Sequence, residues 1–593
     1  MVFWKRLPAW VAVVILMAAF AVQGLLSASR ESATSDEIPH LAAGYSYLRT
    51  GDYRLNFEHP PLVKLIAAVP LLAFDLDFNR DSPAWKTGSE WAFGEELINA
   101  NRVAARTIVF WGRVPMLVLA VLLGLMVFKW ASEIYGLRGG LLALALYAFC
   151  PNMLANGPLV TLDVPDALFI LISIYTFHHL LLKPDVRHAI YAGVALGMAL
   201  SSKTTALSLL PLYLLLTVVF LGRGTKGLTL AQAPVRAAIM LAAAAAIIVA
   251  TYRVTSISRY FDSLKYFVSD VGAGGRPAYL FGHYSLNGWW YYFLAAILVK
   301  TPVAFLVMIA IAFASFARVK PSLVELFLVI SVVFFLMLAS LSRLQLGLRY
   351  VLQIYPLLFI LTGGRIATAV RRVGEQPAPS GGPRRKVVAL VLAGFMVWYV
   401  VGTVLAFPHY LAYFNELVGG SKNGYKYLLD SNLDWGQDLP SLASFLDRSG
   451  RPEVVLSFFG TASPGTYGIT YQDFFSYNRS GRREEHTNSA APRQEVFVVS
   501  ANLLECLFIG DKHYYDWLKQ KHPLATPGHS LFVYDITNDA DAHLRLGVAY
   551  LSANLLKKAE REFRRVLVID PASAQAKAYL EAMRQRAAGL SSG

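Results

Sequence analysis

Thr34–Leu65 reads TSDEIPHLAAGYSYLRTGDYRLNFEHPPLVKL. It follows directly on the apolar run of residues 8–28, which is long enough to cross a bilayer and longer than a typical signal-peptide core. That run reads as an uncleaved first span. Asp36 and Glu37 then stand just outside a membrane boundary, followed by Glu58, His59 and the pair Pro60-Pro61. An isolated TSDE is most simply a helix start, with Thr34 and Glu37 as a capping box and Pro39 near the first turn. A carboxylate at the edge of a multi-span bundle is a functional candidate by default. The two readings are compatible: Glu37 can cap while Asp36 faces a cavity.

The rest of the chain supplies the bundle. Of 593 residues 55% are hydrophobic and only 16% are charged, well below the usual quarter. About eleven spans are expected, near 8–28, 106–128, 138–156, 165–182, 189–205, 206–222, 235–252, 289–316, 322–341, 349–366 and 387–407. Lys5 and Arg6, Lys129 and Arg138, Lys183 and Arg187, Arg223 and Lys226, Arg318 and Lys320, and Arg371, Arg372, Arg384, Arg385 and Lys386 fall in alternate loops. All of them can be cytoplasmic together. The formal charge of +15 is therefore a matter of orientation and points to no nucleic acid. Everything after Phe407 is then extracytoplasmic. The two cysteines, Cys150 and Cys506, show neither disulfide nor zinc spacing.

Three regions are expected: a transmembrane domain over 1–407, an α/β domain over 408–537, and a helical tail over 538–593. The first outer loop, 29–105, holds an apolar stretch at 61–74 that is too short to span and contains Lys64, so it reads as an interfacial helix. The basic segment 374–386 is linker-like in composition. PEVVLSFFG, QEVFVVSA and SLFVYDIT read as strands, and the polar stretch 476–494 as a loop. In the tail, Leu546, Gly547, Tyr550, Ala559, Phe563 and Pro571 match the spacing of one tetratricopeptide (TPR) unit. One unit needs a neighbour to bury its face, so the tail packs on the α/β domain or binds a partner protein.

The residues able to do chemistry lie on the outer side. Asp163 and Asp166 open a span, where acids also serve as helix caps; Asp163 would face the same cavity as Asp36. Glu58 with His283 are candidate ligands for a divalent metal ion. Lys203, Lys300, Arg343 and Arg349 stand at outer span ends, where positive charge is otherwise scarce, and could hold a lipid-linked phosphate. Asp166 and Trp435 are candidates for binding acceptor or sugar, Trp435 as a stacking platform in DSNLDWGQDL, although that stretch also reads as a turn-rich junction.

Taken together, SDEIPHLAAGYSYLRTGDYRLNFEHPPLVKLIAA, LVTLDVPDALF, WWYYFLAAILVKTP and GLRYVLQIYPLLFI resemble the GT-C membrane glycosyltransferases. These include the protein O-mannosyltransferases and the lipid A aminoarabinose transferases. The likeness covers about residues 8–445, and FPHYLAYFNELVGG with LLDSNLDWGQDL is similar to a stretch of a bacterial subgroup. The resemblance implies an inverting transfer from a polyprenyl-phosphate sugar to a hydroxyl or phosphate of a protein or glycolipid acceptor. It implies Asp36 as general base, Glu37 beside it and Asp163 as the second-loop acid. The aminoarabinose transferases carry Glu-Lys-Pro-Pro where this chain has Glu58-His59-Pro60-Pro61. The Lys there is tied to donor phosphate and the Glu to a metal. His59 takes the place of that Lys and joins Lys203, Lys300, Arg343 and Arg349 as a candidate contact to the donor phosphate. The subgroup points to a bacterial inner membrane. Two other classes compete. A transporter of a lipid-linked saccharide would place its ionisable groups near the bilayer midplane, and an assembly scaffold would depend on the tail alone.

Overall fold

The structure is a computed structural model, and it describes residues 8–272, 276–375, 381–478 and 493–591. Lys5 and Arg6, residues 376–380 of the linker and 479–492 of the polar loop lie outside the described residues. The chain divides into two compact units, Met1–Trp435 and Gly436–Gly593.

The first unit is a helical bundle. Among the described residues, seven of its helices are long and apolar enough to cross a membrane, or eight when the bent pair Tyr292–Lys300 and Val303–Ala317 counts as one span. Each of the eleven expected spans has a helical counterpart, but several are shorter than expected or broken. The reasons are local. The span near 138–156 ends as Leu137–Ala148, because Pro151 pushes Cys150 into an extended conformation and opens a separate short helix. The one near 189–205 stops at Leu200, and Lys203 is extended. Pro302 breaks the chain after Lys300 into two helices bent by 116°. Ile354–Glu375 is preceded by a 3-10 turn, Leu348–Val351, that carries Arg349. The interruptions thus fall beside Lys203, Lys300 and Arg349.

The loop after the first span forms the helix Glu37–Thr50, then Leu62–Ala68 continuing into the 3-10 turn Val69–Ala73. The two helices touch at Gly44, where a Cβ would stand 2.1 Å from the Lys64 carbonyl oxygen. Only glycine permits that approach. Lys64 is buried here, with its ammonium turned into the loop.

The first unit extends to Trp435, beyond the expected boundary at residue 407, because the segment after the last span is tied back to the bundle. The Asn415 side-chain amide donates to the carbonyls of Leu298 and Thr301 at 2.6 and 2.7 Å. Lys300 Nζ donates to the carbonyls of Leu411 and Asn432 at 2.7 and 2.6 Å. The Asn415 bonds satisfy the carbonyls of Leu298 and Thr301 freed at the Pro302 break.

In the second unit a four-stranded sheet has the spatial order Gln472–Asp473, Glu453–Ser457, Glu495–Ser500, Leu531–Asp535. The first three strands are parallel and the last is antiparallel. All three strands read from the sequence form. The tail helices Ala540–Ser552 and Leu556–Ile569 belong to this unit, with Gly547 against the Phe563 ring. They are joined to the sheet by a buried network. His543 Nδ1 lies 2.7 Å from Glu562, Gln472 Nε2 donates to Glu562 at 3.1 Å, and Arg561 Nη2 meets Glu495 at 3.1 Å.

Candidate active site

The cluster starts from the turn between the first span and the helix Glu37–Thr50. Glu37 closes the local cap, accepting from the Thr34 N–H at 2.8 Å and its hydroxyl at 3.1 Å. It also accepts from Arg113 Nε at 2.8 Å, from Arg113 Nη2 at 2.6 Å and from the Val160 N–H at 2.9 Å. Burial pushes the Glu37 carboxyl up, but the Arg113 charge and these hydrogen bonds outweigh it and hold it below the ordinary value. Every lone pair that could act on a substrate is already engaged. Glu37, expected as a catalytic residue beside the base, is therefore a tie between the first loop, the helix Ala105–Tyr135 and the second loop. Arg113 is the residue that the sequence reading missed. A single arginine inside an apolar span is itself a signal.

Asp36, by contrast, is only part-buried, and its Oδ2 accepts from Arg349 Nη1 at 2.8 Å. The same Nη1 lies 3.7 Å from Asp163 Oδ2. Asp163 Oδ1 accepts from Lys203 Nζ at 2.6 Å. Four groups from four separate elements thus form one alternating chain, Asp36–Arg349–Asp163–Lys203. Within it, Asp163 Oδ2 and Arg349 Nε are buried without a hydrogen-bond partner among the described residues, as is His59 Nδ1 beside it. These buried polar atoms are left for water or a polar ligand to meet.

The other candidates fall into two groups. His59 is close by. Burial first, and then the charges of Lys203 and Lys64, push its imidazole well below its usual range, so it is neutral at physiological pH. Asp166 turns away to brace the end of the neighbouring helix, accepting from the Ser202 hydroxyl at 2.7 Å. Lys300 is spent on the carbonyls of Leu411 and Asn432, and Arg343 is exposed and outside the chain of charges. Trp435 is buried beneath the Arg349 guanidinium, 4.3 Å from ring centroid to carbon. It holds a cation, so its ring is not an open platform for a sugar. His283 is exposed at the start of a short strand, and no group of three His, Cys, Asp or Glu suited to a metal forms among the described residues. This donor set does not make a protein-built divalent site, and no step below depends on one.

The DSNLDW stretch is the support for Arg349. Asn432 Oδ1 accepts from the Leu348 N–H at 2.9 Å, and the Ser431 hydroxyl donates to the Leu346 carbonyl at 2.6 Å. Asp430 has a left-handed backbone, φ 57°, and burial pushes its carboxyl up to about 6 against the pull of Arg349. A second buried cluster lies behind His59. Lys64 Nζ donates to Asn56 Oδ1 at 2.9 Å and to the His59 carbonyl at 2.8 Å, and the Asn56 amide donates to Glu90 at 3.0 Å.

Residues 108–256 match the family model described as dolichyl-phosphate-mannose-protein mannosyltransferase. This part of the chain is mannosyltransferase-like. The match covers about a quarter of the chain and agrees with the GT-C resemblance read from the sequence; the long apolar helices make the protein a multi-pass membrane chain. Among solved structures, the chain is similar to ArnT from Cupriavidus metallidurans bound to undecaprenyl phosphate, at 14% identity and a TM-score of 0.46, covering 88% of this chain and 97% of that one. The Saccharomyces cerevisiae protein O-mannosyltransferase Pmt1-Pmt2 complex bound to the sugar donor aligns at 21% identity and a TM-score of 0.30, over 44% of this chain and 34% of that one. The archaeal oligosaccharyltransferase AglB from Archaeoglobus fulgidus aligns at 11% identity and a TM-score of 0.35, over 65% and 56%. No curated protein matches the sequence.

Proposed function

We propose that this protein transfers a sugar from a polyprenyl phosphate to a hydroxyl of a protein or glycolipid acceptor, on the non-cytoplasmic face of a bacterial inner membrane. The observation that carries this reading is the placement of Arg349 between Asp36 and Asp163. A cation held by two acids at the mouth of a bundle suits a phosphate that must arrive and leave. The family description over residues 108–256 supports a polyprenyl-phosphate sugar as donor.

The step follows from the charges. The donor phosphate competes with Asp36 for Arg349, which grips it through two N–H groups. Asp36 is thereby released as a base and takes the proton of the acceptor hydroxyl. The acceptor oxygen bonds to the anomeric carbon, the bond from that carbon to the phosphate oxygen breaks, and the polyprenyl phosphate leaves with the electron pair. Arg349 and Lys203 stabilise the charge that grows on it. Asp163 holds both cations in place. A single displacement of this kind inverts the anomeric centre.

The test uses purified protein in lipid with a panel of labelled polyprenyl-phosphate sugars, comparing wild type with Asp36→Asn. Turnover of one donor, lost in the variant, is expected. Equal turnover in both would remove Asp36 as base and move that role to Asp163.

A further inference from the structure

The first outer loop carries a second cationic site, remote from the one above. Arg49 lies at the far end of the helix that starts after Asp36, about 20 Å away along its axis. With Arg80 it lines a cleft of about 640 Å³ together with Leu72, Phe78, Asn79 and Asp81.

The ion pairing of the loop singles these two arginines out. Arg54 pairs with Asp52 at 2.5 Å, Arg102 with Asp75 and Asp77, and Arg113 with Glu37. Asp81, the acid in the cleft, is taken by Lys86 at 3.2 Å. Arg49 and Arg80 have no acidic partner among the described residues. Each lies instead against an aromatic ring, Tyr45 at 6.0 Å and Phe78 at 5.9 Å. The cleft therefore presents two guanidinium groups with net positive charge.

Leu72 lines the cleft, and an exposed apolar surface adjoins it in the chain. Val69 and Leu72 are 54% and 47% exposed on the 3-10 turn that ends the interfacial segment. Phe74 packs at 6.2 Å on Trp111, which is 41% exposed near the start of the spanning helix Ala105–Tyr135. Aromatic residues at span ends mark the headgroup level of a bilayer. An anion that also carries a hydrocarbon tail satisfies both the guanidinium groups and this apolar surface.

We propose that this cleft binds the headgroup phosphate of an anionic phospholipid, with Arg49 and Arg80 as phosphate partners and the acyl chain along Leu72 and Val69. The site anchors the outer end of the first loop to the membrane surface, so the loop that carries Asp36 is held at both ends. Guanidinium forks suit a phosphate diester better than lysine point charges do.

Native mass spectrometry of the full-length protein in detergent tests this, using phosphatidylglycerol and phosphatidylcholine of identical chains. Wild type is expected to retain phosphatidylglycerol in preference to phosphatidylcholine. Each of Arg49→Gln and Arg80→Gln should weaken retention about fivefold, and the pair about twenty-five-fold. Leu72→Asn should weaken it as well. Unchanged thermal midpoints would show the variants folded, as expected for exposed side chains. Equal retention by wild type and the double variant would overturn the proposal, as would no preference between the two lipids. Displacement of the lipid by inorganic phosphate would also overturn it, by making this a free-phosphate site.

Discussion

The Arg349 guanidinium rests 4.3 Å above the Trp435 ring while its Nη1 reaches Asp36 at 2.8 Å. The aromatic face holds the cation in the plane where both acids meet it. A desolvated cation–π contact contributes about 2 kcal/mol. Trp435→Leu should therefore raise the donor KM by about tenfold or more with a smaller change in kcat, and Trp435→Phe should restore most of the loss. A ring that merely filled space would be replaced as well by Leu as by Phe, so steady-state kinetics of the two variants separate the roles.

Glu37 and Arg113 form a different kind of pair, sealed from solvent on both sides. Removing one partner of such a pair costs about 3–5 kcal/mol, because the other is left buried and charged. Arg113→Met should lower the thermal midpoint sharply or abolish folding in detergent. Glu37→Gln should be milder, since an amide still accepts from Val160 and Thr34. If Glu37→Gln instead left stability untouched and abolished turnover, Glu37 would be part of the chemistry. The pH dependence has a definite sign. The Glu37 carboxyl is held below its unfolded value of 4.5, so its stabilisation is present above that pH and is lost as pH falls through the folded value.

Lys64 and Glu90 give a second pH signature. Burial pushes Glu90 up from 4.5 to about 7, and the Glu58 charge adds to the shift. Between those pH values the folded state binds more protons, so stability falls as pH rises. Burial pushes Lys64 down from 10.5 to about 7. Between 7 and 10.5 the unfolded state binds more protons, so stability rises with pH. The pair's contribution is thus least favourable near neutrality. Thermal midpoints measured across this range should lose the acid-side slope in Glu90→Gln and the alkaline-side slope in Lys64→Met.

Much of the fold was legible because bilayer spans are written in long apolar runs, and the strands of the second unit in β-branched runs between turn formers. The interruptions were not. Thr301-Pro302 and Ser201–Lys203 lie within or beside apolar stretches, where hydropathy does not register a turn. The acids Asp36 and Asp163 were legible because carboxylates beside spans stand out. Which cations meet them was not, since Lys203, Lys300, Arg343 and Arg349 look alike in sequence. Only tertiary packing turns Lys300 onto backbone carbonyls and Arg349 onto the acids. The role of DSNLDW was hidden for the same reason. Asn432 and Trp435 act on residues 84 and 86 positions earlier, Leu348 and Arg349.

Arg349→Lys is the most searching substitution. A lysine keeps the charge but loses the planar face that stacks on Trp435 and the fork that would grip phosphate. Removing one donor that stabilises developing charge costs about 10²–10³ in kcat. Arg349→Lys should fall in that range, whereas Lys300→Met should lose stability because two carbonyls lose their donor. Arg343→Gln, exposed and outside the chain of charges, should keep its activity. Single-turnover rates with a saturating polyprenyl-phosphate sugar would check all three. If Arg343→Gln lost activity and Arg349→Lys did not, the phosphate would be held at the rim of the bundle, and the Asp36–Arg349–Asp163 bridge would be structural.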